Sequence, residues 1–217
     1  MKISRYLFKQ EEETIAPNVR ETYIDQMDKQ KSEPEYLAGQ LIIAMPSMSD
    51  PRFSKAVIYM CAHNSEGAMG LVINKQVDEL TFSDLLEQLE IKPAFSKNPL
   101  TVLFGGPVDQ ARGFVLHSAE YLKDATLRVT DSFGLTATID ILRDIAEGNG
   151  PKDKILALGY AGWGPGQLDA EIRENGWLHV EADDTLVFGD ELADKWEMAI
   201  KKIGIDPRML SDEAGHA

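Results

Sequence analysis

Gln167, Glu171 and Asn175 recur at intervals of four. On a helix that spacing stacks an amide, a carboxylate and a second amide on one face at successive turns. The run that holds them, LGYAGWGPGQLDAEIRENGWL (Leu158 to Leu178), also sets Trp163 and Trp177 beside the row. Such a row is either a solvated face or one wall of a binding site for a small polar ligand. The glycines of GWGPG invite a second comparison, with loops that hold phosphate. That chemistry needs backbone N–H groups converging on an anion. Pro165 has no N–H, and Asp169 and Glu171 put negative charge where the anion would sit. A structural turn accounts for the same residues, with Gly164 as N-cap, Pro165 at the first helical position, Gln167 as capping-box partner, and Leu168 and Ile172 facing the core.

A second candidate grouping is Asn74 with His117. GLVIN from Gly70 and GFVLH from Gly113 echo one another, each at the end of a hairpin-like unit. If the units lie side by side, Asn74 and His117 occupy matching strand ends. Asn74, His117, Gln167 and Glu171 would then line the pocket of a hydrolase or a transferase. His63 does not join Asn74, because strand length holds the two ends of their shared hairpin about 20 Å apart. HNSEG brings His63, Ser65 and Glu66 together, but Asn, Ser and Gly are what a turn requires anyway. The four histidines show no pair at zinc-ligand spacing, and the single cysteine, Cys61, stands alone. No G-x-S-x-G elbow is present. Met45 and Met48 could form an adaptable lip, although Asp50 before Pro51 more simply organises a turn. The binding set is therefore Asn74, His117, Trp163, Gln167, Glu171 and Asn175, with no catalytic residue, metal ligand or cofactor assigned.

These side chains need elements to hold them. QLIIAM (Gln40 to Met45) predicts a strand, and AVIYMCAH (Ala56 to His63) with AMGLVIN (Ala68 to Asn74) predicts a hairpin around the four-residue turn NSEG. Along the first arm Val57, Tyr59 and Cys61 share one face, and Ala56, Ile58, Met60 and Ala62 share the other. Both faces are apolar, so this strand should be central, and Cys61 an inert buried thiol. TFSDLLEQLEI predicts a helix with Thr81 as N-cap and Asp84 three positions on. LTVLFGG and GFVLHS predict a further strand pair joined around PVDQAR, with a shorter strand near Thr126 to Val129. TIDILRDIAEG predicts a helix ended by Gly148. KILALGYAGW, WLHVEA and TLVFG predict strands, and DELADKWEMAIKKIG an amphipathic helix burying Leu192, Trp196, Ala199 and Ile203. Irregular alternation and repeated hairpins make this an α+β domain with a mixed, mainly antiparallel sheet. Residues 1–35 form a charged extension with one helical stretch from Arg20 to Lys31, residues 36–210 the domain, and residues 211–217 a frayed tail.

The bulk properties bound the partners. The chain has 217 residues, with 36 acidic against 22 basic, a formal charge of −14 and a pI near 4.7. A field of that sign opposes the counterion-releasing contacts that bind nucleic acid backbones. One cysteine excludes an internal disulfide. The stretch MKISRYLFKQEEE lacks a continuous apolar run of leader length, so no secretory leader is expected, and no run of about eighteen apolar residues follows. A cytoplasmic protein without membrane contact is the expectation.

GQLIIAMPSMSDPRFSKAVIYMCAHNSEGAMGLVINK, LFGGPV, RGFVLHS, GYAGWGPGQLDAEIRENGWL and KWEMAIKKIGID, in this order over residues 36 to 210, resemble the YqgE/AlgH family of bacterial proteins. The resemblance implies a compact α+β fold, a bifurcated sheet with a barrel-like portion flanked by helices, and a cytosolic bacterial protein. Members are commonly labelled transcriptional regulators, since one branch is associated with control of alginate production. No catalytic mechanism or cofactor is established for the family. Ala62 stands before His63 where family members often carry Glu, which weakens a carboxylate–histidine pairing there, and the segment before Tyr36 is longer than usual.

The functional expectation is a non-enzymatic regulator that acts on transcription indirectly, through a protein or small-ligand partner. The alternatives are the hydrolase or transferase above and an assembly protein using residues 1–35 as a contact arm. Ligand, partner and oligomeric state are left open by the sequence.

Overall fold

A strand buried on both faces must place its two side-chain sets in two separate cores. The computed structural model, which describes residues 36–92 and 100–210, shows this for β2 (Val57–Asn64). Val57, Tyr59 and Cys61 enter one apolar cluster, while Ala56, Ile58 and Met60 enter another. The period-two expectation is thus met from Ala56 to Cys61, while Ala62, beyond a register shift against β3 that follows Met60, is half-buried and joins neither cluster. The extension expected at residues 1–35 and the tail at 211–217 lie outside the described residues.

Around β2 stand β1 (Gln40–Ala44), β3 (Gly67–Val72), β4 (Val102–Phe104), β5 (Val108–Ser118), β6 (Thr126–Arg128), β7 (Phe133–Thr136), β8 (Lys154–Trp163) and β9 (Trp177–Glu181). They join in one nine-stranded sheet, ordered β6-β7-β5-β8-β3-β2-β1-β9, with β4 also paired to β8. Every pairing is antiparallel except β4 with β8. The sheet curls strongly into a half-barrel, and five α-helices accompany it among the described residues. The α+β, mainly antiparallel expectation holds.

The sheet forks at β8. Its end, Ala161 to Trp163, pairs with β3, and its start pairs with β5 on one edge and β4 on the other. The chain leaving β3 runs along β4, where Phe104 N–H donates to Lys75 O at 2.8 Å and Val77 N–H to Val102 O at 2.9 Å. β4 is therefore wedged between β8 and the continuation of β3. Backbones cross closely at this point: a Cβ on Gly159, whose φ is 71°, would meet Gly106 O at 2.5 Å. One expectation fails here. LTVLFGG and GFVLHS are not a hairpin pair, because β8, arriving much later in the chain, inserts between them.

The helices follow their local chemistry. At α1 (Phe82–Gln88), Thr81 and Asp84 form the expected capping box. At α2 (Ile139–Glu147), Gly148 ends the helix in the left-handed conformation, φ 81°. α3 (Gln167–Arg173) carries Gln167 and Glu171 of the expected polar row. TLVFG, expected as a strand, is instead helix α4 (Asp184–Phe188). Asp183 Oδ1 accepts from Leu186 N–H at 2.9 Å, and this cap, with Asp184 in the first turn, outweighs the β-propensity of Val and Phe. The last helix, α5 (Lys195–Lys202), begins later than expected and buries Trp196, Ala199 and Ile200, leaving Leu192 before it. The hairpin turn is also tighter than NSEG: β2 runs to Asn64 and β3 starts at Gly67, with Asn64 Oδ1 accepting from Glu66 N–H at 2.8 Å.

Three apolar clusters result. Helices α4 and α5 cover one face of the sheet with Leu186, Val187, Trp196 and Ile200. Helices α1 and α2 cover β4, β5 and the start of β8. Helix α3 closes a third cluster against β1 to β3 through Leu168, beside Trp163 and Trp177. No helix among the described residues is long and apolar enough to cross a membrane.

Candidate functional site

The glycine-rich segment is a turn leading into α3. Gln167 N–H donates to Gly164 O and Gly164 N–H donates back to Gln167 Oε1, both at 3.1 Å. The Gln167 side chain returns to Gly164 as expected of a capping-box partner, but no side chain caps the helix, which starts at Gln167 and not at Pro165. Gly166, with φ 68°, is the N-cap in place of Gly164. The extra turn arises because Gly166 reaches a left-handed conformation that other residues resist.

From this turn a hydrogen-bonded network grows. Gln167 Nε2 donates to Glu171 Oε1 at 2.8 Å. Trp163 Nε1 and Trp177 Nε1 both donate to Glu171 Oε2, at 2.9 and 2.7 Å. The indoles come from β8 and β9, strands separated by three others in the sheet order, and their rings meet edge to face at 5.9 Å. Both Trp side chains are buried. An indole N–H is a donor only and must find an acceptor when buried, which Glu171 provides twice. Trp163, Gln167 and Glu171 of the sequence-derived set are thus brought together, and Trp177 completes them.

Asn175 is not part of the row. It is exposed with φ 58°, and its backbone N–H donates to Ile172 O at 3.0 Å, so it terminates α3. Asn tolerates this conformation better than most residues, and periodicity alone could not reveal that α3 ends before it.

Asn74 and His117 are not joined either. Asn74 Oδ1 accepts from Val57 N–H and Asn74 Nδ2 donates to Lys55 O, each at 2.8 Å, so its amide ties the start of β2 to the end of the hairpin. His117 lies in β5, on the other side of β8, opposite Lys154. Trp163 is at the far end of the same ten-residue strand. The matching of strand ends fails because β4 and β5 do not form a hairpin.

His117 is fully buried in its own chain of hydrogen bonds. Its Nδ1 lies 3.0 Å from Ser118 O, which can only accept, so Nδ1 carries the proton and Nε2 accepts from Thr136 Oγ1 at 2.9 Å. Thr136 Oγ1 accepts in turn from Thr126 Oγ1 at 2.8 Å. Burial pushes the His117 pKa down, against the raising effect of the Ser118 carbonyl and Glu120, and favours the neutral ring.

Two buried ionisable groups stand outside the sequence-derived set, His63 having been assigned to a turn and Lys195 to an amphipathic helix. His63, 1% exposed, accepts from Leu37 N–H at its Nδ1 (3.2 Å), and its Nε2 lies 3.6 Å from Asp169 Oδ2. The carboxylate absent at Ala62 is supplied from α3, across more than a hundred residues of sequence, with no local signal to reveal it. Lys195, also 1% exposed, donates from Nζ to Leu186 O and Val187 O, both at 2.7 Å. It satisfies carbonyls at the end of α4, and burial lowers its pKa to about 8. A charged residue beside Trp196 at the head of an apolar stripe was the available hint.

Cys61 is buried and its pKa is pushed up to about 12 by desolvation. Among the described residues no group of three His, Cys, Asp or Glu could hold a metal ion. A shallow depression of about 500 Å³ is lined by Asp183, Asp184, Thr185, Leu186, Met198 and Lys202, none of them in the sequence-derived set.

Residues 41–208 match the family model described as AlgH-like, DUF179. The chain is 57% identical to a UPF0301 protein of Rhodopseudomonas palustris strain HaA2 over 191 residues, covering 84% of this chain and 88% of that relative. It is 54% identical to a UPF0301 protein of Rhodospirillum rubrum over 182 residues, covering 84% and 95%. The solution structure of the AlgH protein from Pseudomonas aeruginosa is similar at a TM-score of 0.70 and 39% identity, covering 86% of this chain and 98% of that one. A crystal structure of a Corynebacterium diphtheriae protein, 19% identical with a TM-score of 0.61 over 81% of this chain and 91% of its own, shares the fold. With the forked sheet and the blocks from Gly39 to Asp206 accounted for, the chain belongs to the YqgE/AlgH family.

Proposed function

We propose that this chain is a cytoplasmic, non-enzymatic protein that regulates transcription indirectly, through contacts with a protein or a small ligand. The observation that carries this reading is the engagement of Glu171. Its carboxylate accepts from Trp163, Trp177 and Gln167 at once. A general acid or base needs a lone pair or proton that substrate can reach. Here the most promising carboxylate is spent on holding α3 to the sheet. Asn74 and His117 are spent in the same way on backbone and threonine partners. Residues 36–210 form the regulatory domain in this reading, and residues 1–35 an added contact arm.

The indirect mode rests on charge. A formal −14 opposes binding to a phosphate backbone. Titration with labelled duplex DNA at low and moderate salt tests it: weak or no binding is expected, and tight binding with a steep salt slope would reverse it. The non-enzymatic mode is tested by incubating the purified protein with a bacterial metabolite extract and following it by mass spectrometry. No metabolite should be consumed; turnover would establish the hydrolase or transferase reading.

A further inference from the structure

We propose that the start of β5, residues 108–112, is a self-pairing edge through which two copies of this chain associate about a two-fold axis. β5 is eleven residues long, yet β7 pairs only with Val115 to Ser118. On its other edge β5 meets β8 at Val108↔Tyr160 and next at Gly113↔Leu158. Four residues, Asp109 to Arg112, therefore stand opposite Gly159 alone and are displaced from the sheet. Asp109, with φ 47°, begins the excursion. All four are exposed, and Val108 beside them is one of the few exposed large apolar side chains among the described residues, at 39%. A strand segment without a ladder partner offers its backbone N–H and C=O groups to another strand.

The side chains select the occupant. The order Asp109-Gln110-Ala111-Arg112 is self-complementary when read antiparallel. An axis between Gln110 and Ala111 sets Asp109 of each copy opposite Arg112 of the other, and Val108 opposite Gly113. A parallel register would instead oppose Asp to Asp and Arg to Arg. Opposite charges facing across strands stabilise pairing and like charges oppose it. Among the described residues neither Asp109 nor Arg112 forms an ion pair, and the Arg112 guanidinium is steadied 5.1 Å from the Phe114 ring centroid. An isologous contact of this kind closes at two copies and does not propagate. The short pairing makes the dimer weak and salt-sensitive.

Sedimentation equilibrium on the full chain tests this, across a series from micromolar to near-millimolar protein. Wild type should show a reversible monomer–dimer equilibrium. Arg112→Glu gives a protomer negative at both positions, and Asp109→Lys one positive at both, so each alone should remain monomeric. Mixed in equal amounts they should form heterodimers, since every facing pair is then of opposite sign. Circular dichroism would establish that both variants are folded. A wild type that stays monomeric throughout, a dimer unaffected by either substitution, or a mixture that fails to associate would each overturn the proposal. The indirect regulatory reading does not depend on the result.

Discussion

Trp177 on β9 donates its indole N–H to Glu171 Oε2 on α3 at 2.7 Å, and the same oxygen receives Trp163 from β8. One carboxylate thereby joins two distant parts of the curled sheet through a helix of seven residues. Replacing Glu171 by Ala strands two buried indole donors and should cost about 2–4 kcal/mol of stability. Glu171→Gln, which retains an acceptor oxygen, should cost less. Urea denaturation followed by tryptophan fluorescence measures both, and an Ala variant with an unchanged midpoint would refute the scaffold role.

His117 couples stability to acid. Its folded pKa lies below the ordinary value of 6.5, so at mildly acidic pH the unfolded chain binds the proton more readily. The stability linked to this group is complete above pH ~6.5 and is lost as pH falls through the folded pKa. Urea midpoints at pH 7.5 and 5.5 should separate more for wild type than for His117→Gln. Equal separations would show that the ring is not held neutral.

Lys195 reports at the alkaline end. Its pKa of about 8 in the folded chain compares with an ordinary 10.5. Between these values the unfolded chain holds more protons, so this group's contribution to stability rises with pH across that window. An NMR titration of the lysine ε-methylene signals, with Lys195→Met to assign the resonance, should find one midpoint well below the rest. A common midpoint for all lysines would contradict the burial of this ammonium.

Cys61 should resist thiol reagents in the native state, because the thiolate is disfavoured by burial and its pKa stands near 12. Reaction with an aromatic disulfide reagent should begin only as urea unfolds the chain. Rapid labelling without denaturant would place the thiol at the surface.

Local chemistry made several elements legible. The capping box at Thr81, the stop at Gly148 and the two-faced burial of Val57 to Cys61 each depend on residues a few positions apart, and the structure has all three. TLVFG is a helix and not the expected strand, because so short a run carries no period of its own and the Asp183 cap sets its state.

The α+β class, the double burial of β2, the turn before α3 and the family are all written in short-range patterns and ordered motifs of the chain. The entry of β8 between β4 and β5, the meeting of His63 with Asp169, and the closing of Glu171 by Trp163 and Trp177 emerge only when the chain is folded. These are pairings between segments far apart in the chain. Their geometry depends on how the sheet forks and curls, and periodicity along one segment carries no information about which other segment will face it.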